Sequence, residues 1–84
     1  MVIDHTQQTQ EFNGRDYDRR HGGPFDRGSA DSYYNRACRP HYFLGDTYQS
    51  PEVIPAVGSE EYQAYLAGYE FNEQYGDKKD WGEL

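Results

Sequence analysis

Valine, isoleucine and leucine are scarce in this chain: Val2, Ile3, Leu44, Val53, Ile54, Val57, Leu66 and Leu84 are all of them. That shortage excludes a core of the usual aliphatic kind. One cysteine, Cys38, excludes an intramolecular disulfide. No apolar run approaches the ~20 residues of a membrane span, and MVIDHTQQTQ lacks the basic and apolar regions of a secretory leader. A cytoplasmic protein is expected. Basic residues are few beyond residue 44, where only Lys78 and Lys79 stand against nine carboxylates; that half carries the whole net charge of −7. Such a surface argues against direct contact with nucleic acid phosphates and suits a partner with a basic surface.

Aromatics take the place of the missing aliphatics: nine tyrosines, four phenylalanines and Trp81. Rings bury ~150–250 Å² each, so a few of them can close over a small domain. With 84 residues there is room for one such domain, marginal in stability and open to self-association.

The clearest local signal is SEEYQAYLAGYEFNEQYGDKKDW (59–81). Ser59 is a good N-cap, and Glu60 and Glu61 put negative charge at the positive end of the helix dipole. Tyr62, Tyr65, Leu66 and Tyr69 recur at i, i+3, i+4, i+7 on one face. Ala64, Ala67 and Gly68 form a narrow side open to close approach. Gly76 suits the C-terminal end. A helix is expected over about 59–75.

Toward the N-terminus the signal weakens. Residues 1–20 are polar, without a sustained period, and read as a flexible arm preceding a single helical domain at 21–84. The Gly22-Gly23-Pro24 breaker precedes a second helix over about 28–37, capped by Asp26 or Ser29 and ended by Pro40. Its Ala30, Tyr33, Tyr34 and Ala37 share a face, and Arg27 and Asp31 are spaced to pair on the outside. Tyr33, Tyr65, Leu66 and Tyr69 are the expected core, with Tyr33 and Tyr34 facing Tyr65, Leu66 and Tyr69. The intervening 39–58, with three prolines, is too long for an idle loop. His41 to Leu44 is expected to pack into the helix pair, and Val53, Ile54 and Val57 to form an aliphatic cluster beside the second helix. The fold class is mainly α: a two-helix unit with an ordered Pro-containing connection and a flexible N-terminal arm.

Catalytic chemistry finds little support. Cys38-x-x-His41 is half a zinc spacing with no second pair, and Cys38 reads as a packed residue at a helix end. There is no G-x-S-x-G elbow and no phosphate-binding glycine loop. Asp16 and Asp18, or Glu60 and Glu61, are paired carboxylates without a context that would bury one. No enzyme activity and no cofactor or metal are expected. Binding is better supported, because Tyr, Trp and Arg are the residues that dominate interface energetics. The candidate partner-binding residues are Arg27, Tyr34, Arg36, Arg39, His41 and Tyr42, the acidic Glu60, Glu61, Glu70 and Glu73, and Trp81. Tyr42 and Tyr34, with Tyr48 and Tyr75, form the candidate exposed patch.

The blocks HGGPFDRGSADSYYNR, PHYFLGDTY and EYQAYLAGYEFNEQYGDKKDWG resemble a group of short proteins encoded by tailed phages and prophages. The resemblance covers about 21–82. It implies no activity; it implies a small phage accessory factor that binds and inhibits or redirects a host or phage protein. A weaker similarity is to ribosome modulation factor, carried by Gly28, Ala30, Arg36, Pro40, Tyr65, Gly68 and Tyr69. It implies a two-helix fold and, as an alternative function, ribosome or RNA association through Arg27, Arg36, Arg39 and Tyr42. That family is strongly basic, whereas this chain is acidic.

Overall fold

The computed structural model describes residues 9–45 and 49–79. A β-hairpin opens it, with β1 at Thr9–Phe12 and β2 at Arg15–Asp18. Helix α1 follows at Pro24–Tyr33, then the short strands β3 (Tyr42–Phe43) and β4 (Glu52–Val53), then helix α2 at Glu60–Tyr75. The two helices pack against each other along their length.

Helix α2 forms as its sequence dictates. Ser59 accepts a hydrogen bond from the Tyr62 amide through its side chain at 3.2 Å, and Glu60 and Glu61 fill the first turn. Of the narrow side, Gly68 is where α1 arrives, while Ala64 and Ala67 meet the hairpin. A Cβ on Gly68 would lie 2.1 Å from the Phe25 carbonyl oxygen, and one on Gly28 would lie 2.0 Å from the Tyr65 carbonyl oxygen. The crossing is therefore reciprocal: each helix supplies a glycine against the other's backbone.

Helix α1 starts and stops about four residues earlier than its periodicity suggests. Gly23 is the N-cap, neither Asp26 nor Ser29, and Pro24 occupies the first helical position, where its missing N–H costs nothing. Asp26 instead reaches back from the first turn to accept from the Gly22 amide at 2.9 Å. The helix ends well before Pro40. Asn35 adopts φ 62°, and Asn35 and Arg36 donate their amides to the Ser32 and Asp31 carbonyls at 3.0 and 2.7 Å, a Schellman closure.

The larger departure is within the expected 1–20 arm, where residues 9–18 form a hairpin; its residues 1–8 lie outside the described residues. Asn13 and Gly14, at φ 54° and 82°, make the two-residue turn that matches strand twist, and the register pairs Phe12 with Arg15 and Gln10 with Tyr17. Phe12 and Tyr17 are buried with Phe25 and Ala67, against Ala64 and Phe71. Phe12 meets Phe71 edge-on at 5.6 Å, and Tyr17 stacks on Phe25 at 5.4 Å.

The core is aromatic, but its membership differs from the expected set. Tyr65 is fully buried, Tyr33 and Tyr69 are half-buried, and Leu66 is 38 % exposed. Tyr33 stands edge-on to its neighbour Tyr34 at 4.9 Å, and the groups bonded to Tyr65 are Asp31 and the Arg39 amide. The aliphatic cluster does not form: Val57 is 84 % exposed, and Ile54 and Leu44 are also exposed. A chain with so many rings closes its core without them.

Candidate functional site

Two features of the fold carry exposed or buried chemistry, and both are built around α2. The first is a polar centre at the α1–α2 seam. Asp31, on the buried face of α1, accepts from the Tyr65 hydroxyl, and that hydroxyl in turn accepts from the Arg39 amide at 3.0 Å. His41 is buried beside them, its Nδ1 3.8 Å from Asp31 Oδ2. Nδ1 lies 2.8 Å from the Arg39 carbonyl oxygen; a carbonyl can only accept, so Nδ1 carries the proton. Arg36 Nη1 completes the surroundings of Asp31 at 3.4 Å. Burial, and then the bond to Asp31, push the Tyr65 hydroxyl above its ordinary pKa of 10.0. Although the residue lies at the surface, partial desolvation of its sulfur, and then the Asp31 charge, also raise the Cys38 thiol, which makes it a poorer nucleophile. Cys38 itself is exposed and not a packed helix-end residue. The expected Arg27–Asp31 surface pair is replaced as well: Arg27 is buried and bonds Asp26 at 3.3 Å.

Further along the seam, Asn72 Nδ2 donates to Ser32 Oγ at 3.0 Å, and Ser32 Oγ donates to Glu73 at 2.8 Å. Lys78 binds Glu73 and donates to the Ser32 carbonyl at 3.1 Å, so it caps the end of α1. These bonds, Lys78 first and then Ser32, hold the Glu73 carboxyl below its ordinary range. The centre is closed and satisfied: among the described residues no buried side-chain nitrogen or oxygen lacks a partner. That is the chemistry of a fixed seam. Among the described residues no cluster of three metal-ligating side chains occurs.

The second feature is a cleft of about 410 Å³ where β2 runs past the first turn of α2. Arg15 to Asp18 form one wall, Glu60, Glu61 and Ala64 the other, and Pro24 and Tyr42 the floor side. Both arginines of the cleft already have uncharged partners. Arg15 lies 5.3 Å over the Tyr17 ring and donates to Gln63 at 3.0 Å, and Arg20 donates to the Phe43 and Gly45 carbonyls at 2.7 and 3.3 Å. Asp16, Glu60 and Glu61 are exposed and form no ion pair among the described residues.

The candidate partner-binding residues divide between these places. Arg27 and His41 are buried, so they serve the fold before any surface. Tyr34 is half-buried with Arg36 laid 4.7 Å over its ring; both line one small cavity with Arg27, His41 and Phe43. Arg39 is exposed and 3.4 Å from Glu52, and Tyr42 pairs with Val53. Glu60 and Glu61 line the cleft, Glu70 is exposed on α2, and Glu73 is held at the seam by Ser32 and Lys78. Trp81 and Tyr48 lie outside the described residues. Sequence reading missed that Asp16, Tyr17 and Asp18 belong beside Glu60 and Glu61. The Asn-Gly pair at 13–14 is the signal that could have found them, because it folds β2 back over α2.

Among the described residues no helix is long and apolar enough to cross a membrane. Searches of family models, curated proteins and solved structures found no match to this chain.

Proposed function

We propose that this is a small, non-catalytic accessory protein of the phage type that binds a protein partner and inhibits or redirects it by covering a basic, nucleic-acid-binding surface. The observation that carries this reading is the uncovered outer face of α2. α1 takes the flank with Tyr65, Gly68 and Asn72, and the hairpin takes the flank with Ala64, Ala67 and Phe71. Leu66 and Glu70 remain exposed there at i, i+4, beside the first-turn carboxylates Glu60 and Glu61, while Glu73 at i+7 is tied to Ser32 and Lys78. Complementary charge would speed the encounter and make it sensitive to salt.

The RNA-associated alternative has less support. Arg27 is bonded to Asp26, Arg36 to Asp31 and Arg39 to Glu52, so each guanidinium already has a carboxylate beside it.

Replacing Glu60, Glu61, Glu70 and Glu73 together by lysine should abolish partner capture from host lysate, read by pull-down and mass spectrometry. Full capture by that variant at both low and moderate salt would remove the proposal. Co-sedimentation of the unmodified protein with ribosomes would favour the alternative.

A further inference from the structure

We propose that the cleft between β2 and the start of α2 receives an extended segment of the partner bearing arginine or lysine, which adds a strand to the free edge of β2. This deepens the reading of an acidic protein with a basic partner and rests on it. Three observations carry it. Among the described residues the hairpin sheet has two strands, so one side of β2 is unpaired by them; alternate residues of an antiparallel strand direct N–H and C=O away from the neighbour. Four consecutive residues, Arg15 to Asp18, line the cleft. Side chains of a strand alternate between faces, so a concavity touched by four in a row runs along the edge and not over one face. Beyond the ladder to β1, the backbone of 15–18 makes no hydrogen bond among the described residues.

Charge then selects the occupant. Four carboxylates, Asp16, Asp18, Glu60 and Glu61, outnumber the guanidiniums of Arg15 and Arg20 in the lining, and among the described residues Asp16, Glu60 and Glu61 have no ion-pair partner. Tyr17, 9 % exposed, lines the same wall, and its hydroxyl has no hydrogen-bond partner among the described residues. Because no buried oxygen is left unpaired, that hydroxyl is open to solvent. An alternating cationic strand would meet these groups with its side chains while its backbone pairs with β2, the mode by which exposed sheet edges capture peptides. Edges of this kind invite unwanted pairing, and the flanking carboxylates would repel acidic strands while admitting basic ones.

The test uses the full chain, ¹⁵N-labelled, titrated with three synthetic hexapeptides: alternating arginine–valine, the same peptide N-methylated at alternate backbone amides, and alternating glutamate–valine. The first should give saturable shifts centred on residues 15–18 and 60–64, and slower amide exchange in β2. N-methylation, which keeps every charge and removes half of the backbone donors, should weaken binding about tenfold or more, and the acidic peptide should not bind. The Glu60→Gln/Glu61→Gln variant should bind the first peptide about three- to tenfold more weakly, whereas Asp77→Asn should not change it. Equal affinity for the methylated peptide, shifts centred on Glu70 and Glu73, or no saturable binding would each overturn strand addition. If that happens while the fourfold lysine variant still loses its partner, the acidic-face reading stands and the cleft does not.

Discussion

Helix α2 is clasped on two sides by different means. On the α1 side, backbone touches backbone through Gly28 and Gly68, and the buried side chains are polar: Asp31, Ser32, Asn72 and the Tyr65 hydroxyl. On the hairpin side, rings meet rings, with Phe12 and Tyr17 settled on Phe25, Ala67 and Phe71. The first seam is fixed by geometry and by saturated hydrogen bonds, so a single added atom matters. The second is held by burial, which is non-directional and graded. A protein short of aliphatic residues uses the first for definition and the second for most of its apolar burial.

The contrast can be broken at its strongest point. Gly28→Ala places a methyl group 2.0 Å from the Tyr65 carbonyl oxygen, and relief requires the helices to part. A loss of about 3 kcal/mol or more is expected by urea unfolding. A loss below ~1 kcal/mol would mean that the crossing is far more yielding than described.

Truncation in the second seam should cost less and should be recoverable. Phe12→Ala is expected to lower stability by about 2–3 kcal/mol, because the hairpin can detach while the helices remain, and Phe12→Leu by less than ~1.5 kcal/mol. Hydrogen exchange in the Ala variant should rise in β1 and β2 and remain low at the centre of α2. Uniform loss of protection would show the two seams to be one cooperative unit.

Tyr65→Phe is the smallest change and sharpens the comparison through pH. At neutral pH it removes one donor to Asp31 and one acceptor for the Arg39 amide, for an expected loss of about 1–2 kcal/mol. Below pH 10 the phenol is protonated in both states and its ionisation contributes no slope. Above its ordinary value of 10.0 the unfolded chain releases the proton while buried Tyr65 keeps it, so unfolding is favoured as pH rises. The native protein should therefore lose stability with pH more steeply than the Phe variant, and their difference should shrink from about pH 10 upward. Parallel pH curves would show that this hydroxyl is not held neutral by the fold.

Helix α2 was legible because everything that specifies it is local: Ser59, the two glutamates after it, and the spacing of Tyr62, Tyr65 and Tyr69. Even its narrow side was visible at Ala64, Ala67 and Gly68. The hairpin was not, since only Phe12 and Tyr17 of its eight strand residues are apolar and much of its burial is against Ala64, Ala67 and Phe71 of the distant α2. Arg27 and Asp31 looked like surface groups because a charged residue is buried only when its partners are, and those partners come from the distant Tyr65 or from a helix start displaced to Pro24, whereas His41 packs inward as its segment was expected to. The cleft inherits both difficulties. Its acidic residues were each visible, but their meeting depends on where the Asn13-Gly14 turn sends β2.

The segment 36–39 lacks regular structure, yet it hangs from α2 by two phenols: Tyr69 donates to the Arg36 carbonyl at 2.6 Å and Tyr65 accepts from the Arg39 amide. Those rings stand one helical turn apart, so the strap copies the rotation of the rod that suspends it. His41 and β3 follow directly along the chain, and Arg20 grips the Phe43 carbonyl from beside the hairpin. The strap is thus placed by α2 at one end and, through Arg20, tied to the neighbourhood of the hairpin at the other.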